Sequence, residues 1–515
     1  MPLLERRSAG VSIPLFSIRS REGWGVGEIL DLPRFAAWMR RAGLRWLALL
    51  PLNECALGQE SPYSSLSAFA IDPIHLSVDR IEDFREAGGL SPEERETLDA
   101  LRASPRVEAG AVRRLKMAGL GRAFRRFREL PADSSRHRDF ENFREEHAVW
   151  LADYALFRAI KENLHSGWWL GWPEPLRDRE PGALARAREE LAEAIDFFEY
   201  VQWQAYRQLE RARGEVLSQG VHLLGDLPFV VAIDSADAWS KQDEFSAWTT
   251  MGAPPDPYSD SGQDWGLPSY RWPAVRASDF GWLRRRARFA RKIYDGARVD
   301  HVVGYYRSYV IPRDGTPPHF EPAEEGEQKE LGEAILRALG GEGIELIAED
   351  LGTVPPFVRH SLAELRIPGF RVLRWEKDGA IYRDPRGWPA LSVATTGTHD
   401  TETLAAWWDG LPDEERWAFR SIPSLHAEWE GVPGFCEAVH ASILELLHES
   451  ASNLVLLPIQ DLFGLRDRIN VPGTVSPENW SFRLPWTLEE MERDPFVEKV
   501  AEASAKRARR TGRLD

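Results

Sequence analysis

The chain has 515 residues, 43% of them hydrophobic and 28% charged, and its 81 acidic against 65 basic side chains leave a formal net charge of −16. That balance disfavours nucleic acid or an anionic membrane as the main partner, because a phosphate backbone calls for an excess of Lys and Arg. Two cysteines, Cys55 and Cys436, supply neither a disulfide framework nor a zinc spacing; no apolar run has signal-peptide or membrane-span length, so a reducing cytoplasm is the expected setting.

Short apolar runs recur at 11–16, 46–52, 221–231, 297–303, 344–351, 370–375, 393–398 and 454–459. None has a polar alternate face, which predicts strands buried on both sides in a parallel sheet. After the first run, Asp31 precedes Leu32 and Pro33 in the manner of an N-cap, and Leu32, Phe35, Ala36 and Met39 form an apolar stripe that Gly43 ends. Between the second and third runs lies an insertion too long for one crossover. Its Ser91-Pro92-Glu93-Glu94 has capping-box spacing, and Phe140, Phe143, Trp150, Tyr154, Phe157 and Ile160 fall at helical intervals. Residues 74–195 are therefore expected to form a mostly helical subdomain. Ile195, Phe198, Val201, Ala205 and Leu209 make a further stripe before the third run. Residues 232–278, rich in Pro, Gly, Trp and Asp, read as a long loop. A basic cluster near the end, Lys506, Arg507, Arg509, Arg510 and Arg513, reads as a solvated last helical turn and tail. Eight strands with intervening helices predict an α/β fold: one (β/α)8 TIM barrel spanning 1–515, with large, mostly helical insertions on its C-terminal face.

In such a barrel the strand C-termini surround the active site. The third strand carries Asp226, the fourth Arg298, Asp300 and His301, and the fifth ends in Glu349 and Asp350. The seventh ends in His399 and Asp400, and the eighth is followed by Gln460 and Asp461. Any one carboxylate alone is as readily a helix N-cap or a loop charge. Asp300, Glu349 and Asp400 at neighbouring mouths, beside Arg and His, instead fit the cleavage of a glycosidic bond with retention. That chemistry needs an ionised nucleophile and a protonated acid/base. Arg298, two residues before Asp300 and so on the same strand face, is placed to keep Asp300 ionised, whereas Asp300 and Asp400 would raise the pKa of Glu349. His301 and His399, each beside a charge, read as hydroxyl donors rather than neutral core histidines, and Asp350 as structural. The 21 Trp, 11 Tyr and 23 Phe add a lean toward sugars, whose C–H faces stack on aromatic rings.

Several blocks resemble the amylomaltases, the 4-α-glucanotransferases of glycoside hydrolase family 77. They are Trp24-Gly25-Val26-Gly27, the segment from Ser61-Pro62-Tyr63 to Ala70, Gly225-Asp226-Leu227-Pro228 with Asp234 to Asp237, and Pro254 to Ser259 with Gly262-Gln263-Asp264-Trp265-Gly266. Arg298 to His301, Ala348 to Gly352, Thr396 to Asp400, Asn470 to Thr474 and Asn479-Trp480 complete the set in order. The resemblance implies the same barrel without a separate C-terminal β-domain, no metal and no organic cofactor, and α-1,4-glucans or maltooligosaccharides as partners. It implies Asp300 as nucleophile, Glu349 as acid/base and Asp400 as transition-state stabiliser. Arg298, His301 and His399 would hold the sugar, Ser61, Tyr63, Gln263 and Trp265 would line the groove, and Asp226 would support the site. Residues 232–278 would carry the substrate-covering loop. Two stretches depart from the pattern: Val302-Val303-Gly304 stands where many members have Phe-Arg-Gly, and Thr401-Glu402-Thr403 where Asn-Asp-Thr is common. Both differences bear on acceptor binding. The competing readings are a retaining α-1,4-glucan hydrolase, in which water takes the intermediate, and a non-catalytic glucan-binding protein that would have no use for three catalytic carboxylates. Oligomeric state is not legible in the sequence.

Overall fold

The computed structural model describes residues 3–165, 168–255, 262–425 and 434–514. Eight parallel strands close a barrel: β1 (Ser8–Ser12), β2 (Trp46–Ala48), β3 (His222–Leu227), β4 (Gly296–Val299), β5 (Glu345–Ala348), β6 (Gly369–Val372), β7 (Ser392–Thr395) and β8 (Leu454–Pro458). They neighbour one another in chain order, and β8 closes on β1 with Ser8 opposite Leu454. Every expected strand is present. The first begins earlier than expected, and Leu15–Ser17 is a 3-10 turn.

Alternate residues point into the barrel, where Trp46, Leu224, Ile347, Phe370, Val372, Val393, Leu454 and Leu456 make one apolar cluster. The same alternation puts Asp226 and Arg298 above that cluster, opposite each other in the β3–β4 register. The barrel is thus filled with hydrocarbon below and lined with charge at its mouth.

The connections depart from a regular βα alternation at three places. From β2 to β3 the described residues form seven α-helices, including Ala109–Arg128, Ser135–Asn163 and Ala192–Ser218. The last of these crosses the expected boundary at 195 and continues to the start of β3. The capping box at Ser91 forms, with Glu94 N–H donating to Ser91 Oγ at 3.2 Å and Ser91 N–H to Glu94 at 2.8 Å. Fully buried Lys116 pins the insertion to the barrel loops by donating to Glu28 at 2.7 Å and to the carbonyls of Ile74 and Leu76. Asp31 holds the N-cap position of Leu32–Arg41 without a side-chain cap bond there; its carboxylate accepts from Glu28 N–H and closes a capping box on the 3-10 turn just before.

The stretch 232–278, expected to be loop, holds two short helices and two strands among its described residues. Phe245–Ala253 and Gln263–Tyr270 join Ser308–Pro312 and His319–Glu321 in a four-stranded antiparallel sheet. Register shifts interrupt the alternation of the first pair, which hides the strands from a period-two reading. Of the expected covering loop, residues 256–261 lie outside the described residues. From β6 to β7 there is no α-helix, only a small hairpin (Lys377–Asp378 with Ile381–Tyr382) and a 3-10 turn, beside a groove of about 1040 Å³. After β8 the described chain is helical or irregular and contains no further strand. Helix Pro495–Arg510 ends in the basic cluster, but Arg513 is not solvated. It is buried, and its guanidinium donates to the carbonyls of Ser8, His448, Ser450, Ser452 and Asn453, tying β1 to the β8 approach. No described helix is long and apolar enough to cross a membrane.

Candidate active site

One guanidinium organises the barrel mouth. Arg298, on β4, donates through Nη1 to both oxygens of Asp226 on β3 at 2.9 Å and to Asp300 Oδ1 at 2.8 Å. Its Nη2 lies 3.7 Å from Glu349 Oε2 at the end of β5. Burial works to lower the Arg298 pKa, but Asp226, Tyr63, Asp300 and Glu349 outweigh it, so the group stays cationic. Asp300 is held on its other oxygen by Phe229 N–H at 3.4 Å.

Glu349 accepts from His301 N–H at 2.8 Å and from Leu351 N–H at 3.1 Å, which fix both oxygens. Burial raises its pKa to about 8, Asp300 adds to the rise, and Arg298 opposes it. The expectation of a raised pKa is met, with two changes of cause: burial leads, and Asp400 is not among the main contributors. His301 has a positive φ of 44°, in the left-handed region that few residues besides Gly, Asn, Asp and His adopt. It sits edge-on to Trp265 at 4.8 Å and to Phe229 at 5.5 Å. Burial pushes it down to about 4, so it is neutral, and it stands half-buried at the mouth.

Across the mouth, Asp400 follows β7. His399 Nε2 is 3.2 Å from its Oδ2, Asn470 Nδ2 donates to its Oδ1 at 2.6 Å, and Arg468 donates to its carbonyl at 2.8 Å. Burial tends to raise the Asp400 pKa, but His399, Asn470 and Arg298 bring it down to about 2. The Tyr63 ring stacks on His399 with centroids 5.1 Å apart, and its hydroxyl donates to Asp226 Oδ2 at 2.7 Å. Trp480, with φ of 57°, flanks both rings at 5.8 and 6.0 Å. Asp226, Arg298, Asp300, Glu349, Tyr63, His399 and Asp400 thus form one connected set.

The remaining expected residues stand around it. Ser61 acts locally, its Oγ accepting from Tyr63 N–H at 3.3 Å. Trp265 Nε1 donates to exposed Gln263 at 3.0 Å, and the pair reaches the site through the Trp265–His301 contact. Asp350 accepts from Phe370 N–H at 2.7 Å, and Asp461 from Thr396 Oγ1 and Leu404 N–H, all within the protein. Val302 and Val303 are buried in the core, so neither presents its side chain to an acceptor. Gly304 is required behind them, because a Cβ there would sit 2.6 Å from the Phe229 ring. Thr401 Oγ1 donates to Thr398 O and accepts from Thr398 N–H, both at 3.0 Å, closing the turn that carries Asp400.

Asn470, Arg468, Trp480 and Phe229 were not among the expected site residues. Asn470 and Trp480 fell within blocks of family resemblance, but no spacing rule links them to Asp400. Their approach depends on how the chain after β8 folds back.

Comparison with known proteins gives a consistent result. The family model described as 4-alpha-glucanotransferase, glycoside hydrolase family 77, matches residues 13–489. The 4-alpha-glucanotransferase of Chlamydia pneumoniae is 31% identical over 95% of this chain and 94% of its own length. That of Thermus thermophilus is 33% identical over 90% and 92%. Among solved structures, the amylomaltase of Streptococcus agalactiae in complex with acarbose is 25% identical and superposes with a TM-score of 0.81, covering 97% of this chain and 99% of that one. The chain belongs to glycoside hydrolase family 77, and its reaction is the transfer of α-1,4-glucan segments.

Proposed function

We propose, from that membership and this geometry, that Asp300 is the nucleophile and Glu349 the acid/base of a double displacement on α-1,4-glucans. The observation that carries the assignment is the contrast around Arg298. The guanidinium is hydrogen-bonded to Asp300, whereas burial raises Glu349 to about 8 and keeps it protonated at neutral pH. Asp300 attacks the anomeric carbon of the donor, and Glu349 gives its proton to the departing O4. The new chain end leaves, and the glucan remains as an ester on Asp300. Glu349, now ionised, takes the proton from the 4-hydroxyl of an acceptor glucan or glucose as that oxygen displaces Asp300. Two inversions give net retention. Asp400, ionised through its contacts with His399 and Asn470, binds sugar hydroxyls and stabilises positive charge at the ring in the transition state.

Tyr63 and His399 provide a stacked platform for the sugar, and Asp226 locks Arg298 in place. The four-stranded sheet brings Trp265 and Gln263 to the site, where they cover the substrate and help an acceptor compete with water. The unpaired Cys55 and Cys436 suit a reducing, cytoplasmic location. Incubation with maltotriose tests the reading. Glucose together with oligomers longer than maltotriose is expected; maltose and glucose with nothing longer would indicate hydrolysis instead.

A further inference from the structure

The four-stranded sheet carries more aromatic surface than the site uses. Trp248 is 69% exposed and Trp168 is 42% exposed. Trp248 follows the β-ladder register directly, since Thr249 pairs with Pro312 and Arg313 N–H donates to Trp248 O at 3.2 Å. Directly opposed residues of an antiparallel pair share a face, so Trp248 and Arg313 project together. The Arg313 guanidinium in turn lies 5.8 Å from the Trp168 ring. One indole therefore lies against the guanidinium, and a second projects from the same face at the outer end of the sheet. Along the same strand, on the face shared by alternate residues, come Ile311 and then Tyr309, whose ring meets Phe320 at 5.2 Å. The stretch from Arg313 to Tyr309 is four residues, about 14 Å at the usual antiparallel rise.

The inner end of this stripe leads to the active site. Tyr309 pairs with Gly252, Gly252 pairs with Asp264, and the next residue, Trp265, touches His301. We infer that Trp168, Arg313, Trp248 and Tyr309 form a second α-glucan-binding surface, distinct from the catalytic groove, that holds a remote part of a polymeric substrate while another part is processed. The inference rests on the glucan-transfer reading. Indole faces suit the C–H faces of glucose units, and the guanidinium on the same face supplies donors to hydroxyls in a fixed fork. A membrane surface is disfavoured by the presence of only one cation among these side chains, and continuity with the site favours the polymer that the site consumes over an unrelated partner.

The test compares polymer with oligomer. The Trp168→Ala/Trp248→Ala variant is run in native gels containing glycogen, and its transfer kinetics are measured with amylose and with maltotriose. The expected result is retardation weakened by about fivefold, the scale of a lost aromatic contact, and a raised KM for amylose. Maltotriose kinetics should stay within about twofold of the parent, because a trisaccharide held in the groove does not reach the stripe. Arg313→Gln, a milder change, should move in the same direction and covers the case in which the double variant folds poorly. Unchanged retardation and amylose KM in folded variants would overturn the inference. So would an equal loss on amylose and maltotriose, or a change confined to self-association in sedimentation, which would make the surface a contact between copies. Absence of transfer products from maltotriose in the parent would instead overturn the functional reading.

Discussion

Asn470 gives the most quantitative prediction. Its Nδ2 donates to Asp400 Oδ1 at 2.6 Å, and Asn470 is only 9% exposed. Asn470→Ala removes a hydrogen bond to an ionised carboxylate, worth about 1.5–3 kcal/mol. If that bond holds Asp400 for the transition state, the loss corresponds to about a 10- to 150-fold fall in rate. The fall should appear in kcat more than in KM, since Asp400 acts on charge that develops at the ring only during reaction. The pH profile should move as well. Burial tends to raise the Asp400 pKa, while His399 and Asn470 are among the groups that lower it to about 2. Removing Asn470 therefore raises that pKa, and activity on the acid side is lost at higher pH than in the parent. The assay is the initial rate of glucose release from maltotriose across pH, alongside thermal unfolding. A kcat within twofold of the parent and an unmoved acid limb, in a variant of normal stability, would refute the reasoning.

Glu349→Gln should lower kcat by about 10³-fold or more. In the parent, kcat/KM should decline above about pH 8, where the raised pKa of Glu349 is passed and the proton for O4 is lost; a profile flat to pH 10 would contradict this. Tyr63→Phe deletes the 2.7 Å bond to Asp226 and should reduce kcat/KM by about tenfold, as read from maltotriose kinetics. Thr401→Val keeps the shape but breaks both bonds to Thr398, and kcat should fall by about tenfold while the melting temperature changes little. Arg513→Met leaves five carbonyls without their donor. It should cost about 2–4 kcal/mol of stability, seen as a lower melting temperature with near-normal kcat at 25 °C.

The barrel was legible because its strands are buried on both faces, and runs such as 454–459 have no competing helical pattern. Asp226, Asp300 and Glu349 were legible for a related reason, since they stand at or just past the ends of β3, β4 and β5, whereas Asp400 lies five residues beyond β7. What escaped depended on contacts between distant segments. The strands around Trp248 and Trp265 have interrupted pairing, and 256–261 divides them, so composition alone suggested a loop. Arg513 looked like one more cation in a basic tail, and its burial becomes visible only when the chain terminus docks under β1 and β8. Around His301, Trp265 and Phe229, both remote in sequence, set surroundings that its sequence neighbours do not reveal. The same holds for Val302 and Val303, whose burial moves any effect of those differences from the groove to the packing behind Gly304.

The central claim is that Asp300 carries the glucan between donor and acceptor. Glu349→Gln treated with α-maltosyl fluoride tests it, since fluoride departs without an acid whereas the ester then waits for a base that is gone. Intact-protein mass spectrometry followed by peptide mapping should find a maltosyl adduct on the peptide containing Asp300. An adduct on Asp226 or Asp400, or consumption of the fluoride with inversion and no adduct, would contradict the account.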